Sequence, residues 1–147
     1  MAYLQRTASA VWNGTLREGD GRTSVGSGLF RDAPVTFVSR FEEGEGTNPE
    51  ELVAAAHASC FSMALAAALA KADTPSEELR TSATVTLRTG QEGPRITAVH
   101  LDVVGRVMGI DEEAFRAAAE DAKANCPVSK LLAPGLETLT LQARLQV

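Results

Sequence analysis

Short stretches of alternating polar and apolar residues open the chain. Thr7-Ala8-Ser9-Ala10-Val11-Trp12 runs into Asn13-Gly14, a type I′ hairpin signal. Thr15-Leu16-Arg17 is predicted to return antiparallel. Gly19-Asp20-Gly21 makes a second turn before Arg22-Thr23-Ser24-Val25, and Val35-Thr36-Phe37-Val38 adds another short β run after Pro34. Residues 1–46 therefore read as a small antiparallel sheet that closes in the polar, glycine-containing loop Arg40–Gly46. The pattern then changes. Over residues 47–73, Asn48 can cap a helix, Pro49 suits its first position, and Glu50 and Glu51 place acids in its first turn. Leu52, Val53, Ala54, Phe61, Met63, Leu65 and Leu69 make this helix apolar almost all round, and Asp73-Thr74-Pro75 stops it. Residues 79–147 read as ββαβ. Ala83, Val85 and Leu87 alternate in one strand, and Val99, Leu101 and Val103 in a second. Asp111-Glu112-Glu113 opens a helix to about Asn125, and Pro127 starts a short second one. Leu139, Leu141, Ala143 and Leu145 mark a last strand over residues 136–147. The expected class is α+β in a single domain.

A helix without a polar face is central to something, either a core or a bilayer. His57, Ser59 and Ser62 inside it, its weakly apolar alanines, and β segments on both sides favour the core. One small sheet with few aromatic residues covers only part of such a helix. Two copies packed across a two-fold axis would cover the rest, so an obligate homodimer is expected.

The 147 residues suffice for one core without staples. Apolar residues at 44% and charged residues at 22% exclude a disordered chain. A net charge of −5 with no basic run argues against a nucleic-acid partner. The first residues lack the apolar segment of a signal peptide, so a cytoplasmic location is expected. In that reducing compartment the two cysteines, Cys60 and Cys126, are either inert thiols or working redox groups, not a permanent bridge.

Cys60 lies mid-helix with His57 one turn earlier on nearly the same face. One reading is a small buried apolar residue beside alanines. The other is a reactive thiolate, which needs a nearby cation because a free thiol is only a few per cent ionised at neutral pH. His57, Arg40, Arg22 and Arg17 are the candidates. Cys126 is either a plain loop cysteine or, at a helix start before Pro127, a thiol held down by free amides. A sulfenic acid on one cysteine condenses with a second thiol only if the two Cα atoms come within about 4.4–6.8 Å.

Two blocks carry a resemblance. Arg40-Phe41-Glu42-Glu43-Gly44-Glu45-Gly46-Thr47-Asn48-Pro49-Glu50-Glu51-Leu52 with Ala54–Leu65, and Ala122-Lys123-Ala124-Asn125-Cys126-Pro127-Val128-Ser129, closely resemble the OsmC/Ohr family. The Arg-Phe-Glu loop and the position of His57 are similar to its OsmC branch (osmotically inducible protein C). The resemblance implies an intertwined homodimer, with small antiparallel sheets wrapped around long central helices and two active sites shared between the chains. It implies a thiol peroxidase in oxidative and osmotic stress defence that acts on hydroperoxides, organic ones preferred. Carried over, Cys60 matches the peroxidatic cysteine, Cys126 the resolving one, Glu50 the catalytic glutamate and Arg40 the arginine. Arg17 or Arg22 stands where the Ohr branch has its arginine. His57, Phe61, Met63, Leu65, Glu51 and Arg22 are then supporting or pocket residues. No metal and no cofactor are implied, and an external dithiol, for which a lipoyl group is one candidate, reduces the disulfide.

Geometry adds a constraint. Ten residues separate Glu50 from Cys60, about 15 Å along a straight helix. A glutamate on a partner's antiparallel helix would reach Cys60 more readily than the chain's own. Other readings make different demands. A Cys60–His57 hydrolase would not need Cys126. A metal module would use Cys60, Cys126, His57 and an acid, without the close cysteine pairs usual for zinc. In a dimeric binding protein neither thiol reacts.

Overall fold

The structure, a computed structural model, describes residues 1–146. Val147, the end of the expected last strand, lies outside the described residues. The chain divides into two compact units, Met1–Leu52 and Val53–Val147.

The first unit is a three-stranded antiparallel sheet of β1 (Ala8–Asn13), β2 (Asp20–Val25) and β3 (Ala33–Val35), in that order. The hairpin is wider than the Asn13-Gly14 signal suggested. Asn13 pairs with Asp20, so Thr15-Leu16-Arg17 is loop, and Gly19-Asp20-Gly21 enters the return strand instead of turning. Thr15 is the reason. Its carbonyl accepts from the Gly19 amide and its hydroxyl from the Glu18 amide, closing a local turn that competes with strand pairing. A second difference falls at Val35–Val38, expected as β. Only Val35 is strand, and α1 (Phe37–Phe41) follows. Thr36 and Ser39 form a reciprocal capping box, and that local chemistry outweighs the β-branched run. Arg40 and Phe41, expected in a loop, close this short helix. α2 (Pro49–Lys71) begins in this unit, with the Asn48 side chain accepting from the Glu51 amide as a cap does.

The second unit holds most of α2, then β4 (Ser76–Arg88), β5 (Arg95–Val107), α3 (Glu112–Asn125), α4 (Pro127–Leu132), a 3-10 turn at Ala133–Gly135 and β6 (Thr138–Leu145). α2 ends in a Schellman motif. Asp73 takes φ +60°, Thr74 donates to Leu69 and Asp73 to Ala70. β4 starts at Ser76, earlier than the alternation from Thr81 implied. The sheet order is β4-β5-β6, and here the expectation of purely antiparallel sheets is corrected. β5 and β6 run parallel, Val99 opposite Leu139 and Val103 opposite Ala143. Parallel neighbours need a crossover, and α3 with α4 supplies it.

Packing follows the strand and helix periods. Phe61, Leu65 and Leu69 of α2 meet Val99, Leu101 and Val103 of β5 and Phe115, Ala119 and Ala122 of α3, all buried. α2 is long and apolar enough to cross a membrane, yet this stripe makes it the core helix of its unit. The remaining face of α2, with Ser59, Met63 and Ala67, is exposed, and Met63 is 74% exposed. Gly105 of β5 is required by close approach. A Cβ there would lie 2.5 Å from the buried Phe115 ring.

Candidate functional site

Cys126 joins two helices. Its amide closes α3 on Ala122 at 2.9 Å, and its carbonyl accepts from Lys130 at 3.0 Å in the first turn of α4. Pro127 at the first helical position needs no amide partner, so the chain turns sharply with the thiol directed inward. The side chain is fully buried. Cys60, half-buried on α2, stands beside it; both thiols are free and each acts on the other's ionisation. The two sulfurs, remote in sequence, are thus juxtaposed.

Their acidities diverge. Burial pushes the Cys60 thiol up, the Val128 amide draws it partly back, and the Cys126 thiol raises it further, so its net position is above the ordinary value. Burial also pushes Cys126 up. There the Ser129 amide, the Cys60 thiol, the Ser129 hydroxyl and the Val128 amide outweigh burial and leave it below the ordinary value. These groups converge on the sulfur without any single full cap hydrogen bond. Among the described residues of its unit, none of the groups that set the Cys60 acidity is a positive side chain.

His57, a candidate cation for Cys60, does not serve as one. Its Nε2 lies 2.7 Å from the Ser129 Oγ, both residues are buried, and burial holds the imidazole below its usual pKa and therefore neutral. Its Nδ1 has no partner among the described residues. Phe61, expected to line a pocket, is instead a fully buried core residue, as is Leu65; Met63 points outward. The i, i+4 spacing that builds the core stripe accounts for both placements.

A separate cluster lies in the first unit. Arg40 donates from Nη2 to Glu50 Oε1 at 2.9 Å and from Nε to both carboxylate oxygens at 3.3 and 3.4 Å. Glu50 is almost fully buried, while Arg40 keeps part of its surface open. The pair is held from behind. The buried Ser39 hydroxyl donates to the Thr47 carbonyl at 2.8 Å, and the Asn48 amide donates to the Ser39 carbonyl at 2.9 Å, tying α1 to the start of α2. Arg40 also lies over the Phe41 ring, which stacks on Phe37 at 4.9 Å, and Arg17 covers Phe37 at 4.6 Å. Glu51 accepts from the Thr47 hydroxyl and serves the helix start. Arg22, on β2, bonds the Gly21 carbonyl and lines an apolar groove of about 200 Å³ with Trp12, Val35 and Leu52.

Ser129 escaped the sequence reading. The Cys-Pro-Val-Ser run was visible, but nothing along the chain linked its serine to His57. The Phe37–Phe41 platform falls where the β-branched pattern points to a strand and the capping box makes a helix instead. Among the described residues no three His, Cys, Asp or Glu side chains gather as metal ligands.

Fold and site define an α+β protein built around two juxtaposed free thiols. The family model described as OsmC-like protein matches residues 42–140, and the chain belongs to the OsmC family. It is 41% identical over 129 residues to the Peroxiredoxin OsmC of Escherichia coli (strain K12), covering 88% of this chain and 90% of that protein. The Peroxiredoxin OsmC of Shigella flexneri matches equally. Among solved structures, an organic hydroperoxide resistance protein OsmC from Legionella pneumophila, described as a predicted redox protein, is 25% identical. It superposes with TM-score 0.70 over 97% of this chain and 99% of its own. An organic hydroperoxide resistance protein from Elizabethkingia anophelis shares the fold, with TM-score 0.73 and 24% identity over 98% of this chain and 100% of its own.

Proposed function

We propose that this chain is a thiol peroxidase that reduces hydroperoxides, organic ones by preference, with Cys60 as the peroxidatic and Cys126 as the resolving cysteine. The juxtaposition of the two free thiols carries the reading, and the names of the relatives at 41% identity support it. In the first step the Cys60 thiolate attacks the terminal peroxide oxygen. The O–O bond breaks, the alkoxide leaves and takes up the proton released when the Cys60 thiol ionised, and Cys60 becomes a sulfenic acid. In the second, Cys126 attacks the sulfenic sulfur. An S–S bond forms, the S–O bond breaks, and the hydroxide leaves as water with the proton that Cys126 gave up. An external dithiol then reduces the disulfide by exchange, and a lipoyl group has the right chemistry.

Cys60 needs a cation, since burial and the neighbouring Cys126 thiol push its pKa up, against ionisation. Arg40, oriented by Glu50 through a forked ion pair, has the geometry to ionise a thiol and to steady a departing alkoxide. In an intertwined homodimer the Arg40–Glu50 pair of one protomer acts on the thiol of its partner. The exposed α2 face around Ser59, Met63 and Ala67, and a β1 strand exposed along its whole length, support such a partner. Reduced thiols suit the cytoplasm as its location. Against a Cys60–His57 hydrolase stands the commitment of His57 Nε2 to Ser129.

Stopped-flow consumption of cumene hydroperoxide with thiol titration tests the reading. Loss of both thiols into one intramolecular bridge per peroxide is expected. Peroxide that leaves both thiols intact would overturn it.

A further inference from the structure

The proposed cycle makes no use of His57, yet it is a fully buried titratable side chain with one ring nitrogen unpartnered among the described residues and the other 2.7 Å from a buried hydroxyl. Burying a polar ring is costly unless its bonds are made. The arrangement selects a direction. A neutral imidazole carries one N–H. Were it on Nδ1, a donor would be buried unpaired, the rarer and costlier case; on Nε2 it donates to Ser129, and only a lone pair stays unpaired. With its oxygen accepting from His57, the Ser129 hydroxyl keeps its own hydrogen to donate, and Cys126 and Ser129 are buried together at the start of α4. Ser129 is the third residue of α4 and Cys126 its cap, so the hydroxyl and the sulfur share one helical turn. A hydrogen on Nε2 therefore orders the donors in one direction, from α2 through Ser129 into the helical turn that Cys126 caps.

We propose that His57 is a positioning residue for the resolving step: through Ser129 it fixes a hydroxyl donor on Cys126, favouring the thiolate that attacks the Cys60 sulfenic acid. This rests on the peroxidase reading above. In that step Cys126 releases its proton, the sulfenic S–O bond breaks, and water leaves. His57 and Ser129 neither gain nor lose atoms; they hold the nucleophile anionic and aimed.

The test is rapid-quench mixing of the full-length protein with one equivalent of cumene hydroperoxide. Sulfenic acid is trapped with a dione reagent, and disulfide is counted by mass after alkylation. In Ser129→Ala and His57→Leu the ratio of the disulfide-forming rate to the sulfenate-forming rate is expected to fall about tenfold, the size of one buried hydrogen bond to a charged group. His57→Gln, which retains a side-chain N–H of similar reach, is expected to recover most of that ratio. Should His57→Leu fail to fold, Ser129→Ala decides alone. An unchanged ratio in a folded Ser129→Ala protein overturns the proposal, as does an equal loss in both steps, the mark of a merely structural role. Failure of the wild-type protein to form either sulfenate or disulfide would instead sink the peroxidase reading, so the two failures are separable.

Discussion

The Glu50 carboxylate accepts from two nitrogens of the Arg40 guanidinium, at 2.9 Å from Nη2 and 3.3 Å from Nε, although the two residues stand ten positions apart. Neither residue holds itself in place. Ser39 and Asn48 bond the backbone on either side, so the ion pair is a consequence of how α1 meets the start of α2. Such support keeps a guanidinium preorganised, as the role proposed for Arg40 requires.

Arg40→Ala is expected to lower the second-order rate of cumene hydroperoxide reduction by roughly 10²-fold. Arg40→Lys keeps the charge but loses the fork, and is expected to recover only part of the rate. Arg22→Ala, on β2 and without a contact to the Arg40–Glu50 pair, should change it little. Stopped-flow kinetics on the three variants measure this, and an Arg22→Ala loss larger than that of Arg40→Ala would reverse the assignment.

Cys60→Ser is expected to abolish turnover. Cys126→Ser should still consume about one equivalent of hydroperoxide per site and then stall with a dithiol as reductant, because the sulfenic acid finds no second thiol. Mass spectrometry of the quenched protein reads the difference directly: a single added oxygen in Cys126→Ser, none in Cys60→Ser.

His57 contributes a pH dependence of stability whose sign follows from its burial. Its folded pKa lies below the ordinary 6.5, so the unfolded chain binds this proton more readily. Stability from this group is complete above about 6.5 and is lost as pH falls from there toward the lowered folded value. Urea denaturation of wild type and His57→Gln at pH 7.5 and at pH 5 should show a smaller acid loss in the variant. An identical loss would mean that the imidazole is not held neutral.

Gly105→Ala places a methyl group against the buried Phe115 ring, which has no room to give way, and is expected to destabilise the protein by about 1–3 kcal/mol. Equilibrium denaturation checks this, with Phe115→Leu in the same background as a compensating change.

Met63→Glu puts a charge on the exposed face of α2. A homodimer packed through that face should dissociate, so light scattering at micromolar concentration should show a dimer for wild type and a monomer for the variant. A monomeric wild type would remove the partner on which the shared-site proposal depends.

The periodicity of the chain determined α2 with its Pro49 start and most of the second unit: the Asp111 cap, Pro127 opening α4, and the alternation of β5 and β6 all follow from neighbouring residues. The motif around Cys60 and Cys126 likewise marked the thiols. Where local hydrogen bonding competed with pattern, pattern failed: Thr15 widened the hairpin, and the Thr36–Ser39 box turned a β-branched run into helix. Only the tertiary structure decided that β6 pairs parallel to β5, that Phe61 faces the core and Met63 the outside, that the two sulfurs meet, and that Ser129 answers His57. These are contacts between segments distant along the chain. They are set by which apolar faces are buried together, a competition that no stretch of neighbouring residues encodes by itself.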